Sequence, residues 1–311
     1  MVDVVRTLQL AEAKLRTGKA REAAQLCGMA RVLRGRRRRD ERSGRRYNGA
    51  PGAPMMYPYA EFLIDFDRTH RGLTHRNAPE NRKAAIIIET RPDYFLPMVV
   101  RETMFFLGSR WNLHMFCGEH SYPYAQGFLR GWDVRLTKFP NFAGLTTAEY
   151  NGILLSPAFW KQFSEEKLLV FQTDSLLSSP YVDRFLGFDF VGAPCQHLNE
   201  HYIANGGLSL RTRSVMLECL SRMPPRAGVQ EDVYFTAAVR QMGASMPDYP
   251  TACRFAVESA YIDHPFGVHA TDKVFHSPEV AGWITTEMRR LVDLQDAACA
   301  AIGPAPRQGP P

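Results

Sequence analysis

The segment Lys167-Leu-Leu-Val-Phe-Gln-Thr-Asp174 constrains this chain more than any other. A short apolar run without polar alternation is what a strand buried on both faces requires, and sheets covered on both faces are mostly parallel. Ala84-Ala-Ile-Ile-Ile-Glu89 has the same character, with three β-branched residues in a row. Both runs end on an acid. Further strands are predicted over 111–117, 134–139 and 188–193. Helices are predicted from the turn at 90–93 through about Leu107, over 146–163 with a break at Pro157, and over 214–223, 231–242 and 281–300. Residues 205–213 read as Gly-rich and then strand-like, and 254–258 as a short strand. Alternating short strands and helical segments predict an α/β fold, a mixed and mainly parallel sheet flanked by helices. In such sheets ligands lie beyond the carboxyl ends of the strands. That rule selects Glu89 to Arg91, Cys117 to Glu119 and Thr173 to Ser175.

Charge divides the chain. The net charge of +6 sits in residues 1–50, which hold 14 Lys and Arg against 5 Asp and Glu; the remainder holds 24 basic and 27 acidic residues. The folded body is therefore slightly acidic, which excludes a broad nucleic-acid footprint on it. The boundaries expected are a basic tail over 1–54, helical at 3–30 and disordered from 31, a lead-in over 55–82, a single catalytic domain over 83–285, and a C-terminal helix with a Pro/Gly tail over 286–311. The tail is a solvated linker or, on a sharper reading, a tether to nucleic acid or membrane. Six scattered cysteines form no CxxC pair and suit a reducing compartment. No apolar run reaches the ~18–20 residues of a membrane span, and the N-terminus lacks a secretory pattern. A cytoplasmic protein is the expectation.

Four short segments carry candidate chemistry. Asp174, ending its strand, can hold a divalent cation on a diphosphate, or with Ser175 it can cap the following helix. The pair in Asn205-Gly206-Gly207 removes two Cβ atoms, for close backbone approach or for positive φ. Glu231-Asp232 opens a helix, where acids are favoured by the macrodipole and where one can act as a general base. His269 follows the turn Pro265-Phe-Gly-Val268 and can serve as a metal or phosphate ligand. Arg91, Arg101, Arg110, Arg211, Arg213, Arg254 and Lys273 are candidates for diphosphate contact, Arg91 and Lys273 the best placed. GxGxxG after a strand, GxxxxGK[ST], GxSxG and HExxH are all missing, which weakens dehydrogenase, P-loop kinase, hydrolase and zincin readings.

Taken together in this order, Leu169 to Ser175, Phe188 to Pro194, Asn205 to Arg211, Glu231 to Phe235 and Pro265 to His269 resemble GT-A (Rossmann-like) glycosyltransferases. They are most similar to the family called domain of unknown function 5672. The resemblance covers about residues 83–285 and implies transfer of a sugar from a nucleotide-sugar donor to an acceptor hydroxyl of unknown identity. It implies Mn²⁺ or Mg²⁺ as cofactor, with Asp174 at the metal-binding DxD position (Gln172 stands where the first acid would) and His269 completing the coordination. Glu89, Thr90 and Arg91, with Thr173, Asn205, Gly206, Gly207 and Lys273, become donor-binding residues, the Asn-Gly-Gly segment as a loop on the sugar. Asp232, with Glu231 second, becomes the base of an inverting reaction. The competing reading is a catalytically silent nucleotide- or sugar-binding domain tethered by its basic tail.

Overall fold

The computed structural model describes residues 57–91, 93–139, 145–198, 201–258, 261–271 and 278–302. The basic tail, Lys273 and the Pro/Gly tail from 303 lie outside the described residues. Strand β1, Lys83–Glu89, is central to a six-stranded sheet and shows why the sequence reads as it does. Ala84, Ile86 and Ile88 point into one hydrophobic cluster while Ala85 and Ile87 point into another. An unbroken apolar run is simply two buried faces superposed at period two. Strand β4, Lys167–Phe171, divides likewise, Leu168 and Val170 to one face and Leu169 and Phe171 to the other.

β1 lies between β4 and β2 (Asn112–Cys117), and β2 pairs with β3 (Arg135–Lys138), all in parallel. On the far side of β4, strand β7 (His201–Thr212) runs antiparallel and pairs antiparallel with β6 (Phe190–Leu198). The order β3-β2-β1-β4-β7-β6 therefore has one reversed strand. This is the mixed, mainly parallel α/β sheet expected.

On one face lie α1 (Tyr57–His70), α2 (Leu96–Leu107), α3 (Ser121–Phe128) and α9 (Pro278–Ile302). The other carries α4 (Thr147–Leu154), α5 (Pro157–Lys161), α6 (Arg213–Arg222), α7 (Glu231–Gln241) and α8 (Tyr249–Phe255). The break between α4 and α5 falls where Pro157 predicts it. The lead-in is more ordered than its sequence suggests. α1 packs on α2 through Phe66 and Phe105 and through the buried Arg101–Asp67 ion pair. α9 runs unbroken across residue 285 and is fixed to α1 by His70–Asp296 at 3.0 Å. Among the described residues no helix is long and apolar enough to cross a membrane.

Two sequence expectations are corrected. The strand expected over 254–258 is the end of α8 followed by the two-residue strand β8, Ala256–Val257; Asp248 and Pro250 start that helix, Asp248 accepting Thr251 N–H at 2.9 Å. Asn205-Gly206-Gly207 is a stretch of β7 rather than a loop. The β6–β7 register shifts beside it, between Gly192 and Pro194 and between Pro194 and Gln196. Strand geometry survives there because the segment lies past the last β4 partner, Phe171, and is free to bulge.

A second, smaller sheet was not legible in the sequence. Strand β9 (Gly267–Val268) lies between β5 (Leu176–Leu177), antiparallel to it, and β8, parallel to it. Glu102 of α2 supports it from below, its buried carboxyl accepting Leu177 N–H at 3.3 Å. Burial pushes that carboxyl well above the ordinary value.

Candidate functional site

The small sheet sets the site. Because β8 and β9 are parallel, the residues following them, Glu258 and His269, emerge at the same end. Because β5 is antiparallel to β9, the residues preceding it, Asp174 and Ser175, emerge there too. Three separate acid or imidazole groups thus converge without any sequence motif linking them. Glu258 Oε2 stands 3.1 Å from His269 Nδ1, and His269 Nε2 stands 3.8 Å from Asp174 Oδ1. Backbone bonds fix the arrangement: His269 N–H donates to Val257 O at 2.9 Å and Thr271 N–H to Asp174 O at 3.3 Å. Glu258 and His269 are buried, whereas Asp174 is part-exposed. The Glu258 carboxylate favours a proton on Nδ1, which turns the Nε2 lone pair toward Asp174.

The glycine pair works by close approach. Neither glycine has positive φ. A Cβ on Gly207 would run into His269 Nε2 and stand 2.8 Å from Gln172 Oε1, and one on Gly206 would run into the Glu231 carboxylate. Gly207 therefore lets the imidazole and the Gln172 amide lie against the backbone, and Ser175 Oγ donates to Gly207 O at 3.0 Å. Asn205 turns its side chain back to accept Gly207 N–H at 2.7 Å.

Glu231 and Asp232 differ in environment. Glu231 is 3% exposed and Arg211 0%. They form a two-pronged pair, Nη1 to Oε2 at 2.7 Å and Nη2 to Oε1 at 3.0 Å. The guanidinium is ringed by Trp160, Phe190 and Phe235 at 5.0–5.6 Å from the ring centroids. Burial raises the Glu231 pKa against the opposing pull of Arg211. Asp232 is part-buried on the first turn of α7 and accepts Val233 N–H at 2.8 Å through Oδ1. Asn151 of α4 accepts Glu231 N–H at 3.2 Å, capping that helix from outside.

At the end of β1, where the sheet order reverses toward β4, Glu89 is buried and clasps Arg91, Nε to Oε1 at 2.8 Å and Nη2 to Oε2 at 2.7 Å. This is the switch point at which doubly wound sheets bind ligands. The Arg91 pKa is raised by its hydrogen bond to Glu89, with Asp93 and Asp174 adding to it, and its side chain stays 40% exposed. Thr90 is buried and accepts Leu145 N–H at 2.8 Å, and Thr173 is buried. Arg101, Arg110, Arg211 and Arg213 are held by Asp67, Asp183, Glu231 and Glu166.

Two residues of the cluster escaped the sequence reading as site residues. Glu258 repeats the signal that marked Asp174, an acid ending the apolar run Phe255-Ala-Val. Tyr150 has no such signal. It reaches the cluster from α4, its buried hydroxyl turned toward the Gln172 side chain. Burial and then Glu231 push that hydroxyl's pKa up, and it senses Asp174 as well. One phenol thus lies in the field of both halves of the site.

Among the described residues no three His, Cys, Asp or Glu side chains form a self-sufficient metal site. Asp174 with His269 offers one carboxylate and one imidazole; the carboxylate, with ligand phosphates and water, is the donor type that suits Mn²⁺ or Mg²⁺.

No curated protein sequence matches this chain. Among solved structures, the apo-form glycosyltransferase GlyE of Streptococcus pneumoniae TIGR4 is similar at 11% sequence identity and TM-score 0.44, over 69% of this chain and 64% of that one. The inositol-1-phosphate CTP transferase from T. maritima is similar at 12% identity and TM-score 0.42, over 67% of this chain and 96% of that one. This chain thus spans less than two thirds of the GlyE structure. Residues 133–269, which carry Asp174, the glycine pair, Glu231-Asp232 and His269, match the family described as "Protein of unknown function (DUF5672)", the family whose resemblance the sequence carries.

Proposed function

We propose that this protein is a glycosyltransferase using a nucleotide-diphospho-sugar donor, with its reaction centre between Arg91, Asp174, His269 and Asp232. The observation that carries the reading is the convergence of Asp174, His269 and Gly207 at the strand tips beside the β1/β4 switch point. Asp174 and His269 would hold the divalent cation, which supplies positive charge to the departing diphosphate. Arg91, oriented by Glu89, adds a fixed positive charge on the same side of the crevice. Asp232 takes the proton of the acceptor hydroxyl as that oxygen bonds to the anomeric carbon. The bond from that carbon to the diphosphate breaks in the same displacement, and the leaving oxygen keeps the electron pair. Glu231 serves by position: with both oxygens on Arg211 it holds the start of α7 against Gly206.

The silent-binding reading draws support from Gln172, which stands where a second acid would strengthen the cation site. Release of nucleoside diphosphate from UDP-, GDP- and dTDP-sugars, with and without Mn²⁺, separates the two. We expect slow Mn²⁺-dependent release by the wild type, reduced at least about 100-fold in Asp174→Ala. Binding of a donor without turnover would leave the silent module standing.

A further inference from the structure

The small sheet has a second end. Beyond Leu177 and before Gly267 its strands run into Ser178-Ser179 and His264-Pro265, joined by Ser178 Oγ donating to Pro265 O at 2.6 Å and Ser178 N–H to Phe266 O at 2.8 Å. Between these segments and α9 lies a groove of about 710 Å³, lined among others by Tyr181, Tyr261 and Trp283. That volume falls within the ~300–1,000 Å³ of small-molecule sites. Tyr181 is 47% exposed and Trp283 61%. Aromatic area left open on a concave wall marks a binding surface. Tyr261 and Trp283 lie with centroids 5.7 Å apart, and Arg184 covers one face of Tyr181 at 4.5 Å.

The polar groups narrow the ligand. Asp263 and Glu287 oppose Arg184 and Arg290 around the same groove, so the formal charges of its acids and guanidinium groups cancel. A polyanion would gain no net Coulombic attraction there. A wholly apolar ligand would strand those charged groups without water. Glu287 is gripped by Arg290 at 2.8 and 2.5 Å, which fixes a planar donor–acceptor pair beside the rings. A neutral ring with an apolar C–H face and hydroxyls on its edge satisfies both kinds of wall.

We propose that this groove binds an uncharged carbohydrate, and that it is the acceptor subsite of the enzyme. The second clause rests on the glycosyltransferase reading above; the first does not. Asp174 precedes Ser178 by four residues, so the two ends of the small sheet lie at most about 13 Å apart. An oligosaccharide seated at Trp283 can span that distance toward the reaction centre.

The test is a glycan microarray probed with the full chain, no donor present, comparing wild type with Trp283→Ala and Tyr181→Ala. Both side chains are exposed, so both variants should fold, as melting temperatures would verify. The wild type should bind a subset of uncharged oligosaccharides, with the signal about tenfold weaker in Trp283→Ala. A blank array overturns the proposal, as does undiminished binding by Trp283→Ala or binding confined to sialylated or sulfated glycans. A thermal shift by free uridine or adenosine that Trp283→Ala removes would also overturn it, since a base would then occupy the groove. If the wild type releases no nucleoside diphosphate but the array is positive, the groove stands as a carbohydrate site and only the transferase reading falls.

Discussion

Two acidic clusters lie on either side of the glycine pair, and they are built on opposite principles. At Gly206, Glu231 is enclosed with Arg211 by three aromatic rings, and both carboxylate oxygens are committed to the guanidinium. At Gly207, Glu258 and Asp174 approach opposite nitrogens of one imidazole, Asp174 remaining part-exposed. Adjacent glycines thus seat one cluster that closes on itself and one that opens to solvent. Acids near a crevice are informative only after their partners are known: a saturated carboxylate positions, and an open one can react.

The largest expected effect comes from breaking the closed cluster. Arg211→Ala leaves Glu231 buried without its counter-ion and should destabilise the protein by about 3–5 kcal/mol, read from urea unfolding. A loss under about 1 kcal/mol would mean the pair is not sealed as described.

Next is a closed acid at the opposite end of the strands. Burial pushes the Glu165 carboxyl up, but hydrogen bonds from His114 and Asn112 outweigh it and take the pKa to about 2, against an ordinary 4.5. A depressed carboxyl stabilises the fold above its unfolded pKa and loses that contribution as pH falls through the folded one. Stability should therefore decline between about pH 4.5 and 2, by on the order of 3 kcal/mol from this group. Urea midpoints across that range should flatten in Glu165→Gln relative to wild type.

The open cluster should respond more mildly and in another observable. Glu258→Gln keeps the shape but weakens the hold on Nδ1, and Mn²⁺ affinity in the presence of nucleoside diphosphate should fall about 10–100-fold by calorimetry. Unchanged affinity would reduce Glu258 to a packing residue. The smallest stability effect is expected for Asp232→Asn, within about 0.5 kcal/mol by thermal melting, alongside a large loss of sugar transfer. A variant with both stability and transfer intact would remove Asp232 from the reaction.

The sequence by itself determined the sheet and where to look on it. Runs such as Ala84–Ile88 and Leu168–Phe171 are apolar at every position because both faces are covered, and that local signal needs no knowledge of the partner strands. The acids closing those runs mark the strand tips, so Glu89 and Asp174 were legible. Only the tertiary structure decided the partners. Asp174 and His269 are 95 positions apart and meet through a small sheet whose strands are two residues long, too short to leave a periodic pattern. It also decided that Glu231 is held by Arg211, that Glu258 orients His269, and that Tyr150 reaches in from α4. A carboxylate's chemistry is set by what surrounds it within a few ångströms, and those neighbours are chosen by chain crossings that residue order alone does not encode locally.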